Sequence, residues 1–135
     1  MKLLLDTDVC IYLIKARSET ILARLADYEV GDIGLSSITV AELCFGVANS
    51  EHADRNRDAL QQFLLPFTIS PFDHKAAITY GRVRAELQRA GQPIGPLDTL
   101  IGAHALALGV ALATGNVREF SRIEGLQVQS WGGRG

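Results

Sequence analysis

The sequence predicts an α/β protein, a three-layer α/β/α sandwich with a mainly parallel central sheet. Three observations predict it. Short apolar strings, LLLD, IGLSS and VALAT, recur with segments of helical periodicity between them, and such alternation implies crossover connections covering both faces of a parallel sheet. LLLD and VALAT are apolar throughout rather than alternating, as strands buried on both faces are. Finally, 135 residues at 47% hydrophobic suffice for one domain with a substantial core.

LLLD reads as the first buried strand. VCIYLIKA follows with apolar residues at Val9, Tyr12, Leu13 and Ala16, the i, i+3, i+4, i+7 spacing of a helix, with Asp8 as its cap. A second helix, Glu19 to Ala26, turns Ile21, Leu22 and Leu25 inward, and Gly31 and Gly34 bracket the turn into the strand IGLSS. The next helix starts at Thr39. Residues 51–65 are polar with Ala59, Leu60, Phe63 and Leu64 on one face, an amphipathic helix ended by Pro66. After a short strand near Phe67 to Ser70, Asp73 caps a long helix with Ala76, Tyr80, Val83 and Leu87 inward, stopping at Gly91.

Pro96 then opens the helix LDTLIGAHALAL, which is apolar nearly all round, with Leu97, Leu100 and Leu108 toward the core. Gly109 ends it. VALAT is a buried strand, NVREF a short turn or helix, and LQVQSW alternates enough to be an edge strand. Residues 1–132 form one domain and 133–135 a frayed tail.

Thirteen basic against 15 acidic residues leave a net charge of −2, so no global basic field announces a nucleic acid, although a local arginine patch would be enough. MKLLLD is too short for the apolar core of a signal peptide, and no apolar run reaches the roughly 18 residues of a membrane helix. A soluble cytoplasmic protein is expected. Cys10 and Cys44 sit among apolar neighbours without C-x-x-C spacing, as buried free thiols do.

Three carboxylates interrupt apolar strings: Asp6 in LLLDT, Glu42 in TVAELCFGV and Asp98 in GPLDTLIGAHA. Buried acids are rare without a partner. All three fall at the carboxyl edge of the predicted sheet, where α/β proteins bind ligands, and Asn116 after VALAT joins them. Singly, each has a local explanation. Thr39-x-x-Glu42 and Asn116-x-x-Glu119 have capping-box spacing, and Asp98 complements a helix dipole. Capping does not explain three acids gathered at one edge with no adjacent lysine or arginine. Like charges repel, and a hard divalent cation with water in its shell relieves the repulsion. His52 and His74 fall at exposed helix starts, and His104 reads as a hydrogen-bonded structural histidine.

LLLDTDVCIYLI, SSITVAELCFGV, RAELQRAGQPIGPLDTLIGAHALALG and ATGNVREFSRIEGLQVQSW, in this order and spacing, resemble the PIN-domain ribonucleases. Specifically, nearly the whole chain resembles the VapC toxins of bacterial type II toxin–antitoxin modules. The resemblance implies a PIN-like fold in which Asp6, Glu42 and Asp98 match the acidic metal-binding residues. Asn116 stands where many members carry a fourth acid; Glu119 is a further donor, and Thr7 and Thr114 orient the ligands. It implies Mg²⁺, with Mn²⁺ as a substitute, serving an endoribonuclease that cuts structured RNA, often a tRNA anticodon loop, to leave a 5′-phosphate and a 3′-hydroxyl. Arg17, Arg55, Arg57, Arg82, Arg84 and Arg118 would form the basic rim. It also implies a homodimer and a cognate VapB-type antitoxin that wraps an apolar groove and sets a cationic side chain, arginine above all, among the carboxylates. DNA is met only through that complex, and no membrane is involved.

Two rival functions fit parts of the same pattern. LLLDTD also has the shape of the haloacid-dehalogenase opening, with Asp6 as nucleophile and Asp8 as acid, but no lysine follows Lys75 to complete that site. A non-catalytic PIN-like module that binds RNA or protein would share the fold without turnover.

Overall fold

The computed structural model describes residues 1–15 and 19–131; Ala16, Arg17 and the expected tail lie outside the described residues. The leucine run forms β1 (Leu3–Leu5), fully buried, and a strand apolar on both faces belongs at a sheet's centre. It pairs in parallel with β2 (Ile33–Ser36) on one side and β4 (Ala111–Thr114) on the other. Beyond these lie β3 (Thr68–Ser70) and β5 (Val128–Ser130), also parallel, giving the order β3-β2-β1-β4-β5. The mainly parallel sheet expected is found, with LQVQSW contributing an edge strand.

Successive side chains of a strand point to opposite faces. Leu3 and Leu5 accordingly face one core layer with α1 (Thr7–Lys15), α2 (Glu19–Leu25), α3 (Ser37–Ala48) and α4 (Ala53–Leu64). Leu4 faces the other, with α5 (His74–Arg89), α6 (Pro96–Leu108) and α7 (Val117–Phe120). These are the three layers of the sandwich. Among the described residues no helix is long and apolar enough to cross a membrane.

Several faces depart from their expected positions. The first helix begins at Thr7, not Val9, because the Asp6 carboxylate accepts the Thr7 backbone N–H at 2.8 Å and starts the turn. Val9, Cys10 and Leu13 therefore face the sheet and Tyr12 is exposed. In α2, Ile21 is buried but Leu22 is exposed. Cys10 is buried as expected, but Cys44 lies on the outer side of α3 and is exposed. In α6, Leu97 and Leu108 are exposed, and the packed face is Ile101, Gly102, Ala103, His104 and Ala105. Small residues win there because the helix lies close to its neighbours: a Cβ at Gly102 would collide with Ile123 and crowd Phe120. The faces of α5 and the Asp73 cap, accepting from the Ala76 N–H at 3.0 Å, are as expected.

Gly34 lies inside β2 rather than in the expected turn, which Gly31 makes with φ +93°. A Cβ at Gly34 would sit 2.8 Å from the Thr68 carbonyl oxygen and 2.7 Å from Met1 Sδ. Thr68 is backbone of the paired strand, so the clash cannot be relieved by a rotamer change. Gly34→Ala should cost about 1–3 kcal/mol, read as a lower midpoint in urea at unchanged slope; an unchanged midpoint would show that β3 shifts without cost.

Candidate active site

Asp6 leaves the end of β1 at the carboxyl edge of the sheet and is only 4% exposed. Its backbone N–H donates to the Ala113 carbonyl at 2.8 Å, continuing the pairing with β4 and holding the residue in place. The Thr114 hydroxyl donates to Asp6 Oδ2 at 2.7 Å, while Oδ1 accepts from Thr7 N–H. Burial nevertheless pushes the carboxyl up to about 8, helped by the charge of Asp8 and, more weakly, of Asp98; the Thr114 and Thr7 hydrogen bonds oppose the rise.

Asp98 is the third residue of α6, placed by the N-terminal Pro96. Burial pushes it up to about 6, with Glu42, Glu119 and Asp8 as the repelling neighbours. Glu42 comes from the second turn of α3, and its Oε1 accepts the Thr7 hydroxyl at 2.7 Å. Asn116 precedes α7; its side-chain amide donates to Glu119 Oε2 at 2.9 Å, and its backbone N–H donates to the Thr114 hydroxyl at 2.9 Å. Two threonines thus orient two acids. Thr7 ties Glu42 to the start of α1, and Thr114 ties Asp6 to the end of β4.

The local capping explanations do not survive this geometry. Asp8 is the second residue of α1 and does not cap it; its carboxylate accepts the Gly115 backbone N–H at 3.1 Å across the edge of the sheet. Gly115 permits this approach, since a Cβ there would lie 2.8 Å from Asp8 Oδ2. Ser36, not Thr39, caps α3, accepting from the Ile38 N–H at 3.1 Å. Thr39 is buried with its hydroxyl unpartnered, and Glu42 points instead to Thr7. Asn116 makes no side-chain capping bond to α7.

Asp6, Asp8, Glu42, Asp98 and Glu119 therefore act on one another at a single edge, and sequence reasoning missed the part played by Asp8. The D-x-D spacing alone could not reveal it, because its partner lies 107 residues away. Among the described residues no three acid, histidine or cysteine side chains converge closely enough to cage an ion unaided. Nor does a cation neutralise the group: the ion pairs of the described residues are Lys2–Asp32, Arg57–Asp54 and Arg82–Glu86, all elsewhere. Oxygen-only donors with spare lone pairs suit a hard divalent cation that keeps several waters.

Of the arginines expected to form a rim, Arg55 and Arg118 are exposed, Arg84 donates to the Tyr80 hydroxyl, and Arg57 and Arg82 are paired with acids. Arg24, not among them, donates to the Ser130 carbonyl and lies over Trp131. His52 and His74 are exposed. His104 is buried as expected, held by Ser36 and Ser70, and burial holds its ring below the usual range. Beside Glu42 opens an apolar groove of about 240 Å³ between α1, α3 and α4, with Ile11, Ile14, Leu43, Val47 and Leu60 on its walls.

A family model described as PIN domain matches residues 3–126. The tRNA(fMet)-specific endonuclease VapC of Shigella flexneri is 36% identical over 131 residues, covering 97% of this chain and 98% of that protein. The ribonuclease VapC2 of Haemophilus influenzae strain Rd is 40% identical over 131 residues, covering 97% and 98%. Among solved structures, DNA-bound VapBC from Salmonella typhimurium matches with TM-score 0.92 and 38% identity, covering 96% of this chain and 97% of that one. VapBC2 from Rickettsia felis, bound to a promoter DNA fragment, matches with TM-score 0.89 and 36% identity, covering 98% and 100%.

Proposed function

The chain belongs to the PIN-domain family, among the VapC ribonucleases, and from that premise we propose that it is a divalent-metal-dependent endoribonuclease, the toxin of a type II toxin–antitoxin pair. The observation that carries the chemistry is the unneutralised acid group around Asp6 and Asp98, whose carboxyls are both pushed up by burial and by the charges of neighbouring acids. Asp6, Asp98 and Glu42 would hold Mg²⁺, or Mn²⁺ in its place, with Asn116 and Glu119 reached directly or through water.

When bound, such an ion lowers the pKa of a coordinated water and offsets charge developing on the phosphate. Thr114 keeps Asp6 aimed at the site, and Thr7 does the same for Glu42, which orients the attacking water. In-line attack then breaks the phosphodiester to leave a 5′-phosphate and a 3′-hydroxyl. The substrate is a structured RNA, with tRNA first among the candidates because relatives are tRNA(fMet)-specific endonucleases. An unpaired loop reaching this edge would meet Arg118, the exposed neighbour of Glu119 on α7.

The apolar groove beside Glu42 is the seat for a cognate VapB-type antitoxin, since an apolar helix face fits it and an arginine beyond could reach the acids. The VapBC complexes among the structural relatives support this, and two of them are bound to DNA; that this chain meets DNA only through the antitoxin is part of the proposal. A cytoplasmic homodimer completes the proposal.

The test is cleavage of total tRNA by purified, antitoxin-free protein in Mg²⁺, Mn²⁺ or EDTA. A discrete cut that needs the ion is expected. Folded protein that cuts no RNA with either ion would overturn the enzyme and leave a binding module.

A further inference from the structure

A buried polar link joins the two helices that carry Glu42 and Asp98, at a point away from the acids themselves. Ser36 ends β2 and caps α3, its Oγ accepting the Ile38 N–H at 3.1 Å. The same oxygen lies 2.7 Å from His104 Nδ1, in the middle of α6. His104 Nε2 is 3.3 Å from the hydroxyl of Ser70 at the end of β3, and Phe72 packs edge-on against the ring at 5.3 Å. All three polar residues are buried. A hydroxyl can donate once and accept twice, so Ser36 Oγ holds both the Ile38 N–H and His104 Nδ1, and the Ser36–His104 hydrogen bond forms with either tautomer of the ring.

The spacing gives the link its consequence. Glu42 follows Ser36 by six residues on α3, and Asp98 precedes His104 by six on α6, each about 9 Å of helix. Helices are stiff over that length, so a slip of α6 against α3 at the link reappears as a change in the Glu42–Asp98 separation. The two acids lie within electrostatic reach of each other, Glu42 being the foremost charge acting on Asp98. Metal–ligand distances hold to within about 0.2 Å, so the separation of two ligating side chains bears on affinity. An apolar pair would fill the same space without burying polar atoms, but it would leave the helices free to slide.

Building on the metal-dependent reading, we propose that the Ser36–His104 hydrogen bond is a positioning device that sets the Glu42–Asp98 separation and thereby the site's affinity for a divalent cation. His104 is a positioning residue: it acts through the two helices and touches neither ion nor RNA.

The experiment is Mn²⁺ binding to the purified full chain without RNA, followed by the loss of the free-ion EPR signal, beside thermal unfolding. His104→Leu and Ser36→Ala remove the link from opposite sides. His104→Asn places a side-chain amide where Nδ1 was and keeps it. The first two should weaken Mn²⁺ about 10–100-fold, as losing a group that orients a metal ligand does, while His104→Asn should stay within about 3-fold of wild type even if its Tm falls. Mn²⁺ affinity unchanged in His104→Leu and Ser36→Ala, or lost equally in His104→Asn, would overturn the proposal, because affinity would then ignore the link or merely track stability. Wild-type protein that binds no Mn²⁺ would overturn the metal-dependent reading itself, and the inference with it; Asp98→Ala is the control for specific binding.

Discussion

Asp6→Asn and Asp98→Asn should each lose at least about 10²–10³-fold in metal-dependent RNA cleavage, the several kcal/mol that a cation's charge stabilisation supplies. Both substitutions preserve shape. The amide oxygen of the Asp6→Asn variant can still accept the Thr7 N–H, so the start of α1 remains capped and the loss cannot be assigned to a disturbed helix. What changes is charge. An amide is a poor ligand for a hard dication, and at Asp6 it also turns an N–H₂ toward the Thr114 hydroxyl, which already accepts from the Asn116 N–H and must find a new acceptor for its own hydrogen. Asp98 is only partly buried, so its variant should lose activity with little effect on stability. Rates would be measured on one defined tRNA with saturating Mg²⁺. Either variant cutting within tenfold of wild type would remove that carboxylate from the catalytic group.

The mainly parallel sheet was legible because LLLD and VALAT admit no solvent face, but the order β3-β2-β1-β4-β5 was not, since β2 and β4 are as buried as β1. Helix faces were less legible, and the first helix shows why. Its start depended on Asp6 acting both as strand end and as cap, which moved the inward face onto Val9, Cys10 and Leu13. The outer side of α3 misled for a different reason. Cys44 and the 69%-exposed Phe45 are apolar enough to suggest burial, yet the chain on its own leaves them at the surface. Single exposed apolar residues are ordinary on a protein surface.

In the candidate site, the placement of Asp6, Glu42 and Asp98 at one edge was legible, but their partners were not. Thr7 reaches Glu42 across 35 residues, Thr114 reaches Asp6 across 108, and Ser36 reaches His104 across 68. Sequence patterns report neighbours three or four apart. Thr39-x-x-Glu42 satisfied such a local pattern and was overruled, since Ser36 took the cap and Thr7 took the carboxylate. Asp8 was misread in the same way, as a local cap rather than the partner of Gly115.

The second large expected effect is on stability, and its sign follows from Asp6. Its carboxyl moves from 3.8 to about 8 on folding, so between those values the native protein holds a proton that the unfolded chain has released. The unfolded state then binds fewer protons, and native stability falls as pH rises through the window. Asp98, moved from 3.8 to about 6, adds a smaller fall in the lower part. His104 works the other way, because its lowered value makes stability rise with pH near its ordinary titration. Comparing wild type with Asp6→Asn at each pH cancels the histidine. Without divalent ions, the Tm of Asp6→Asn should gain on that of wild type from about pH 5.5 to about pH 8.5, by about 5 °C or more, taking 1 kcal/mol as roughly 2–8 °C. Mg²⁺ should act in the opposite sense on wild type. At the higher pH it binds a carboxylate already losing its proton, and at 100 times its Kd it would restore about 2.7 kcal/mol; at the lower pH it must first displace that proton and should do little. A wild-type Tm that Mg²⁺ raises more at pH 5.5 than at pH 8.5, or a variant whose gap to wild type is flat, would mean that Asp6 does not carry this proton. If the expected pattern holds, the same carboxylate that opposes folding at neutral pH is the one an ion relieves.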